Sequence, residues 1–180
     1  MILFDTETTN LTGPKALDLA KQPHIIEFCA VKLDDKTLIE KAMIDFLIDP
    51  GVPVTPESER ITGITNSMLK GKAPFVGQLE AISDFFLGER IIVAHNCAFD
   101  CELMEYELRR CGKLTQFPWP PVRVCTVEAS FHIQNRRLSL GDLYKLATGN
   151  DLVGAHKAIV DVRALAVCLR WLKDKKKIKL

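Results

Sequence analysis

The chain opens with MILFDTETT, residues 1–9, in which four apolar residues lead directly into two closely spaced acids. A short apolar run of this kind is typical of a buried strand. Side chains two residues apart in a strand point to the same face, so Asp5 and Glu7 are expected side by side. Two adjacent carboxylates repel each other unless a cation lies between them. The stretch therefore predicts a strand that ends either in a cation site or in solvent.

The apolar pattern after this stretch predicts the rest of a sheet. Runs rich in Ile, Val, Leu and Phe at 25–33 and 37–48 flank the polar residues 34–36, which indicates a hairpin. Further strands are expected at 91–94 and 122–125. Helical segments are predicted near 58–61, 67–70, 75–87, 98–111, 127–133, 139–146 and 155–173. Strands that come first and then alternate with helices predict an α/β fold, with a three-stranded antiparallel start, then parallel strands, in one mixed sheet flanked by helices.

Length and composition predict one globular domain. The chain has 180 residues, of which 47% are hydrophobic and 26% charged, a profile typical of a globular domain rather than a disordered or membrane protein. We expect a single domain over 1–173 and a short lysine-rich tail over 174–180. No apolar run is long enough for a membrane span or a signal peptide, so a cytoplasmic location without membrane association is expected.

Charge and cysteine content say less about function. The net charge is +1, which does not by itself indicate nucleic-acid binding. The C-terminal lysines fit either a solvated helix end or a phosphate contact; they are Lys173, Lys175, Lys176, Lys177 and Lys179. The six cysteines include no CxxC pair, which argues against a structural zinc site and favours buried thiols in a reducing compartment.

Two further acids are predicted near the starts of helices. Asp100 shares a helical stripe with apolar residues, and Asp161 does the same on the last helix. Each acid would also gain from the dipole at a helix N-terminus, so a structural role stays open for both. Two helices that each place an acid at the head of an apolar stripe nevertheless favour a shared site, at the strand ends where ligand sites of open α/β sheets collect.

One histidine is a candidate proton acceptor. His156 precedes Asp161 by five residues, about 140° around an ideal helix, so the two cannot both point inward from one helix. We therefore expect His156 in the loop or in the first turn, where it could reach a water. The alternative is an exposed histidine without a role, and none is assigned to His24 or His132.

These contexts together resemble the DEDD exonuclease superfamily, in its histidine-containing DEDDh (DnaQ-like) branch. That branch includes proofreading subunits of bacterial replicases, RNase T and oligoribonuclease. Residues 5–9 match its first motif, 95–100 its second, and 156–161 its third, with the spacing of the histidine branch. Residues 23–27 resemble the strand after the first motif. The resemblance extends over 4–172 and implies an RNase H-like fold.

The chain departs from the family pattern at two positions. Asn10 stands where the family commonly has Gly, and Thr62 stands where it often has His. Asn also tolerates left-handed backbone, so the turn after the first motif is expected to survive.

The resemblance also implies the catalytic set. Asp5, Glu7, Asp100 and Asp161 would hold two Mg²⁺ or Mn²⁺ ions, and His156 would take the proton of the attacking water.

Contacts with the substrate follow from the same resemblance. Leu11 and Phe99 would contact the terminal bases, although core packing is an alternative for Phe99. Backbone amides near Thr6 and Thr8, together with His95, would contact the terminal phosphates.

The function implied is a 3′→5′ exonuclease that acts on single-stranded or frayed DNA ends and releases nucleoside 5′-monophosphates. An exoribonuclease of RNase T or oligoribonuclease type is the first alternative, because the sequence does not locate the groups that would read a 2′-hydroxyl. A proofreading subunit that depends on a DNA polymerase partner is the second. A binding module that has lost catalysis is the third, and the intact set of five residues argues against it.

Overall fold

The computed structural model describes residues 1–14 and 17–178, and it places strand β1 (Ile2–Thr8) at the centre of the sheet. The antiparallel neighbour of β1 is β2 (Ile25–Leu33). β2 pairs in turn with antiparallel β3 (Glu40–Leu47) at the edge. The chain therefore starts with the antiparallel unit that was predicted.

Parallel strands complete the other half of the sheet. β4 (Ile91–Ala94) runs parallel to β1, and β5 (Val122–Cys125) runs parallel to β4. The strand order is β3-β2-β1-β4-β5. This topology confirms the predicted α/β fold with a mixed sheet.

Helices flank the sheet, and the helical segments predicted from the sequence are all present. In chain order the described residues form a 3-10 turn at Leu19–Lys21 and the helices α1 (Pro56–Thr62), α2 (Asn66–Leu69), α3 (Phe75–Phe86), α4 (Cys97–Arg110), α5 (Thr126–Gln134), α6 (Leu140–Thr148) and α7 (Ala158–Asp174). Within residues 1–14 and 17–178, no helix is long and apolar enough to cross a membrane.

Two elements begin three residues later than the sequence predicted. β3 starts at Glu40 instead of residue 37, because the Asp34 carboxylate accepts hydrogen bonds from two backbone amides and closes a turn before it. α7 starts at Ala158 instead of residue 155. Its start is delayed because His156 has left-handed backbone, with φ of 64°, which a right-handed helix does not accommodate.

Alternation along β1 sends its first side chains into two separate cores. Ile2 and Phe4 pack with α3 and α4 on one face of the sheet, whereas Met1 and Leu3 pack with α7 on the other. All four side chains are buried. Burial of a side chain of this size contributes about 1.5–3 kcal/mol, so the two cores together hold β1 firmly in the centre of the sheet.

Part of the C-terminal segment packs against the rest of the protein. α7 continues to Asp174, and Ile178 is half-buried against the cores that α7 forms. Lys173 donates a hydrogen bond to the backbone carbonyl of Lys36 at 3.3 Å, whereas Lys179 lies outside the described residues. The limits of 1–173 for the domain and 174–180 for the tail stay predictions.

A buried ionic cluster fastens the start of β2 to the end of α4. Glu107 of α4 is buried and accepts a hydrogen bond of 3.1 Å from the backbone amide of Ile25. Its carboxylate also lies 2.9 Å from the Arg110 guanidinium and 3.1 Å from the His24 ring. Arg110 in addition donates to three backbone carbonyls of the segment before β2. The cluster therefore fixes the segment through which the chain enters β2.

We expect Arg110→Ala to lower the free energy of unfolding by about 3–5 kcal/mol, because Glu107 would become a buried charge without its cation. The measurement is urea unfolding followed by circular dichroism. Arg109→Ala is the matched control, since Arg109 lies on the same helix but is half-exposed and 3.8 Å from Glu105. A surface pair of that kind contributes about 0–1 kcal/mol. Equal losses in the two variants would show that the buried cluster does not fasten β2.

Candidate active site

The end of β1 carries its two acids to the α7 side of the sheet. Asp5 and Glu7 follow Met1 and Leu3 in the alternation, so their carboxylates lie on the face that α7 covers. Both acids are half-buried. The pairing of β1 with β2 shifts between Glu7 and Thr8, which marks the end of the regular ladder. The face of β1 that packs against α7 therefore changes from apolar residues to carboxylates where the ladder ends.

Asp100 reaches the same place from the opposite face of the sheet. It lies in the first turn of α4 and is 2% exposed. Its Oδ1 accepts two hydrogen bonds from Thr6, one from the backbone amide at 3.1 Å and one from the hydroxyl at 2.9 Å. Because Thr6 points away from α7, these bonds tie the strand that carries the first two acids to the helix behind it.

Asp161 approaches from the α7 side and holds the loop that carries His156. It lies buried in the first turn of α7, and its Oδ2 accepts a hydrogen bond of 2.9 Å from the backbone amide of His156. Its Oδ1 has no hydrogen-bond partner among the residues that the structure describes. His156 is exposed and precedes the helix, which leaves its ring free to turn toward the acids.

The structure brings all five side chains to one place. Ligand atoms of Glu7, His156 and Asp161 lie within 4.8 Å of one another. Asp5 and Asp100 lie beside this triplet, close enough for the charge of one to act on the other. α4 and α7 pack on opposite faces of the sheet, yet their first turns meet at the end of a single strand. This convergence is the geometry that a joint metal and proton-transfer site requires.

Burial and mutual repulsion hold protons on these acids when no cation is bound. Burial, followed by three neighbouring carboxylates, raises the pKa of Glu7 to about 8. Burial raises the pKa of Asp100 to about 7, although the hydrogen bonds from Thr6 act in the opposite direction. The pKa of Asp5 is raised well above its usual range, first by burial and then by the charge of Asp100. The cluster therefore cannot be fully ionised at neutral pH without positive charge.

The donor set fits hard divalent cations. Carboxylate oxygens are the ligands that Mg²⁺ and Mn²⁺ prefer, and four carboxylates converge here. A buried carboxylate oxygen without a partner, such as Oδ1 of Asp161, is costly until a cation or a donor reaches it. A bound cation would also keep the carboxylates ionised despite their burial. The residues present therefore fit a divalent-cation site.

A cleft opens beside the acids. Its volume is about 320 Å³, and Glu7 and His156 are among the residues that line it. Leu11, which is 71% exposed, and half-buried Phe99 line it as well, so both predicted base contacts lie at the cleft. Phe99 also packs against the core on the α4 face, the alternative that the sequence left open. Apolar side chains beside carboxylates suit a ligand that has both a base and a phosphate.

Thr6 and Thr8 are engaged within the protein. The Thr6 amide, which the resemblance assigned to a phosphate, donates to Asp100. The Thr8 hydroxyl donates to the carbonyl of Asn10 at 2.6 Å. The turn that follows uses the Asn10 side chain, whose oxygen accepts a hydrogen bond of 2.8 Å from the Leu11 amide. Asn10 is not among the described residues with left-handed backbone, so the substitution of the family's Gly needs no unusual conformation here.

His95 links three elements next to the site. Its Nε2 lies 3.1 Å from the carbonyl oxygen of Leu138, and its Nδ1 lies 2.9 Å from the Thr126 hydroxyl. Burial lowers the pKa of His95, which favours the neutral ring. Because a carbonyl can only accept, Nε2–H donates to Leu138 and Nδ1 accepts from Thr126. Both nitrogens of this predicted phosphate contact are thus occupied inside the protein.

Two parts of the site were missed in the sequence. α1 forms a wall of the cleft through Ser58, Ile61 and Thr62, and only the fold brings this helix there. Glu27 of β2 pairs with Glu7 across the sheet, and its Oε2 accepts a hydrogen bond from the first amide of α7 at 3.0 Å. The sequence did indicate Glu27, because this acid interrupts the apolar face of β2.

Comparisons with known proteins give the family of the chain. A family model described as "Exonuclease" (RNase_T) matches residues 2–169. Two proteins of Streptococcus pyogenes named "DNA polymerase III PolC-type" are each 30% identical to the chain over 183 residues. The match covers 99% of this chain and 12% of each polymerase. The chain thus spans only a small part of the length of the curated relatives it matches.

Solved structures share the fold. The nuclease domain of 3′hExo, a DEDDh family member bound to rAMP, superposes with a TM-score of 0.77 at 17% identity, covering 99% of this chain and 94% of that one. Exonuclease X in complex with 5′ overhanging duplex DNA gives a TM-score of 0.69 at 21% identity, with 99% and 93% covered. The match of the family model over nearly the whole chain establishes that the chain belongs to the RNase T exonuclease family, and the solved structures share its RNase H-like fold.

Proposed function

We propose that the protein is a 3′→5′ exonuclease that removes nucleotides from single-stranded or frayed DNA ends and releases nucleoside 5′-monophosphates. The observation that carries this proposal is the convergence of Glu7, His156 and Asp161 within 4.8 Å, beside Asp5 and Asp100, at a cleft that Glu7 and His156 line. Hydrolysis of a phosphodiester needs charge neutralisation and a proton acceptor at one point. The four carboxylates would hold the cations that neutralise charge, and His156 would accept the proton.

Asp5, Glu7, Asp100 and Asp161 would hold two Mg²⁺ or Mn²⁺ ions. When bound, such ions polarise phosphoryl oxygens and lower the pKa of a coordinated water. Four carboxylates and two dications give a site near electrical neutrality. The site can therefore accept a phosphate anion in a chain whose net charge is only +1.

His156 would accept the proton of the attacking water. Its ring is exposed at the mouth of the site, whereas its backbone amide is fixed to Oδ2 of Asp161 at 2.9 Å. The loop is thus anchored at the residue that must act, and the side chain keeps its freedom. An anchored general base contributes roughly 10²–10⁴-fold to a rate.

The size of the cleft favours the end of a nucleic-acid strand over the interior of that nucleic-acid strand. Its volume of about 320 Å³ is at the lower limit of ligand pockets, which suits one nucleotide. Leu11 and Ile61 would contact the terminal base from two sides, and Phe99 would close the inner wall. His95 would act indirectly here, by joining the end of β4 to the segment before α6.

The polymerase relatives support DNA as the substrate class. The chain is 30% identical over 99% of its length to a segment of proteins named as DNA polymerases. We therefore take DNA as the first substrate and a DNA polymerase as the partner to test. RNA is the alternative substrate, because the chemistry at the phosphate is the same for both nucleic acids.

A labelled-oligonucleotide assay tests polarity and substrate together. Single-stranded DNA, duplex DNA and RNA of one sequence are incubated at fixed salt with Mg²⁺, Mn²⁺ or EDTA. A 5′-labelled strand should shorten stepwise, a 3′-labelled strand should release labelled mononucleotide at once, and EDTA should stop both reactions. Release of mononucleotide from the 5′ end would refute the proposed polarity, and faster hydrolysis of RNA would reassign the substrate.

Asp5→Asn should lower kcat by at least roughly 10³-fold, because a cation ligand would lose its charge and several kcal/mol of charge stabilisation with it. The metal-free variant should unfold at the same temperature or higher, since one of the repelling carboxylates is gone. Turnover is measured with saturating Mn²⁺, and unfolding is measured in EDTA. Asp84→Asn, an exposed acid on α3, is the control and should change neither quantity. Near-normal turnover by Asp5→Asn would contradict the metal assignment.

His156→Ala should lower kcat by roughly 10²–10⁴-fold while cation binding through the carboxylates persists. The pH profile of kcat should reflect the general base in the unmodified protein, and the profile of the variant should differ from it. Both pH profiles are measured at saturating Mn²⁺. His132→Ala, an exposed histidine on α5, is the control. An unchanged profile in His156→Ala would remove this histidine from the reaction.

Metal-free stability should fall as the pH rises from about 4 to about 8. Glu7 and Asp100 have ordinary pKa values of 4.5 and 3.8, and in the folded protein these rise to about 8 and about 7. The folded state therefore binds more protons than the unfolded state in this window, and stability is lost as pH increases through it.

The measurement is the midpoint of thermal unfolding in EDTA and in Mn²⁺ across that pH range. Mn²⁺ should stabilise more at the alkaline end, where the ionised carboxylates bind it without competition from protons. Glu7→Gln should flatten the metal-free profile, whereas Glu80→Gln, an exposed acid on α3, should not. A metal-free midpoint that rises through the same window would contradict the raised pKa values.

A further inference from the structure

α7 starts without a cap of its own. The residue before it is Lys157, whose side chain makes no hydrogen bond to the first turn. Helix N-termini favour Ser, Thr, Asp or Asn at this position, because the first amides have no partner within the helix. Asp161 lies in the first turn of this helix, and His156 lies just before it. Movement of the first turn would therefore displace both side chains.

A carboxylate from the sheet supplies the missing partner. Oε2 of Glu27 accepts a hydrogen bond of 3.0 Å from the backbone amide of Ala158, the first residue of α7. Glu27 precedes Cys29 and Val31 in the alternation of β2, so the three side chains share one face. Cys29 and Val31 are buried in the core that α7 covers. The face of β2 that packs along α7 therefore ends in an acid beneath the start of the helix.

The pairing of Glu27 with another acid is unfavourable by itself. It is the direct partner of Glu7 in the pairing of β1 with β2, and like charges opposite each other in a sheet are destabilising. No lysine or arginine among the described residues forms an ion pair with it. Among the described residues, its side chain makes one hydrogen bond, to the helix that carries the other half of the site.

We propose that Glu27 is a positioning residue of the exonuclease site, which ties the first turn of α7 to β2 and thereby sets Asp161 and His156 against Glu7. The proposal rests on the proposed function, because the residues that it positions are those of the hydrolytic site. Glu27 acts through the hydrogen bond to Ala158 and does not contact the substrate.

The test compares Glu27→Gln, which keeps an oxygen able to accept the bond, with Glu27→Ala, which removes it. The matched control is Glu40→Ala. Glu40 is also a sheet carboxylate that contacts α7, at Arg163 (3.3 Å), but farther along the helix. Mn²⁺ affinity is measured by titration calorimetry without substrate, and kcat and KM are measured on single-stranded DNA.

We expect Glu27→Ala to weaken Mn²⁺ binding and to lower kcat, each by about 10–100-fold, as is usual when a partner of a metal ligand is lost. KM should change little, because the cleft is untouched. The Mn²⁺ affinity and kcat of Glu27→Gln should remain within about threefold of those of the unmodified protein. The same should hold for Glu40→Ala. Thermal unfolding in EDTA identifies any variant that does not fold. If Glu27→Ala does not fold, near-normal Mn²⁺ affinity and kcat in Glu27→Gln support the proposal, and a defect in Glu27→Gln contradicts it.

Three outcomes would overturn the proposal. Equal defects in Glu27→Gln and Glu27→Ala would mean that the charge of Glu27 matters instead of its hydrogen bond. A normal Glu27→Ala would remove the residue from the site, and a Glu40→Ala defect of the same size would reduce its role to general anchoring of the helix. If the unmodified protein hydrolyses no nucleic acid, the proposed function fails by itself, and the Mn²⁺ affinities still decide the role of Glu27.

Discussion

Repulsion among the carboxylates at the end of β1 is the constraint on which the rest of the structure depends. Asp5, Glu7, Asp100 and Asp161 lie together in a partly buried place, where burial and then the charge of neighbouring carboxylates raise the pKa of Asp5 and Glu7. Such a cluster survives only if the scaffold around it is rigid and stable. The two apolar cores on either side of β1 supply that rigidity, and the acids begin where the apolar residues of the strand end.

The fold was predictable because its signals are local. β4 is a short apolar run between polar residues, β5 follows the proline-rich segment 117–121, and both were located in the sequence at the bounds that the structure has. The errors arose where side chains or backbone override the pattern. The turn closed by Asp34 shortens β3, and the left-handed backbone of His156 delays α7. Neither interaction leaves a periodic trace in the sequence.

The site was only partly predictable, because its parts come from both faces of the sheet. Helical periodicity placed Asp100 and Asp161 on buried stripes, but it could not reveal that α4 and α7 meet at one strand end. It also could not show that Thr6 would give its amide to Asp100. The place of α1 at the cleft also depends on tertiary packing, since the sequence assigned no role to its Ile61 or Thr62.

The start of α7 combines two departures from favourable geometry beside the site. His156 adopts a left-handed backbone that a non-glycine residue rarely uses, and Lys157 leaves the helix without a cap of its own. A chain tolerates such costs where surrounding contacts fix the structure and function gains from it. Asp161 and Glu27 supply those contacts through the amides of His156 and Ala158. The carboxylates of this protein therefore order its backbone as well as prepare a site for cations.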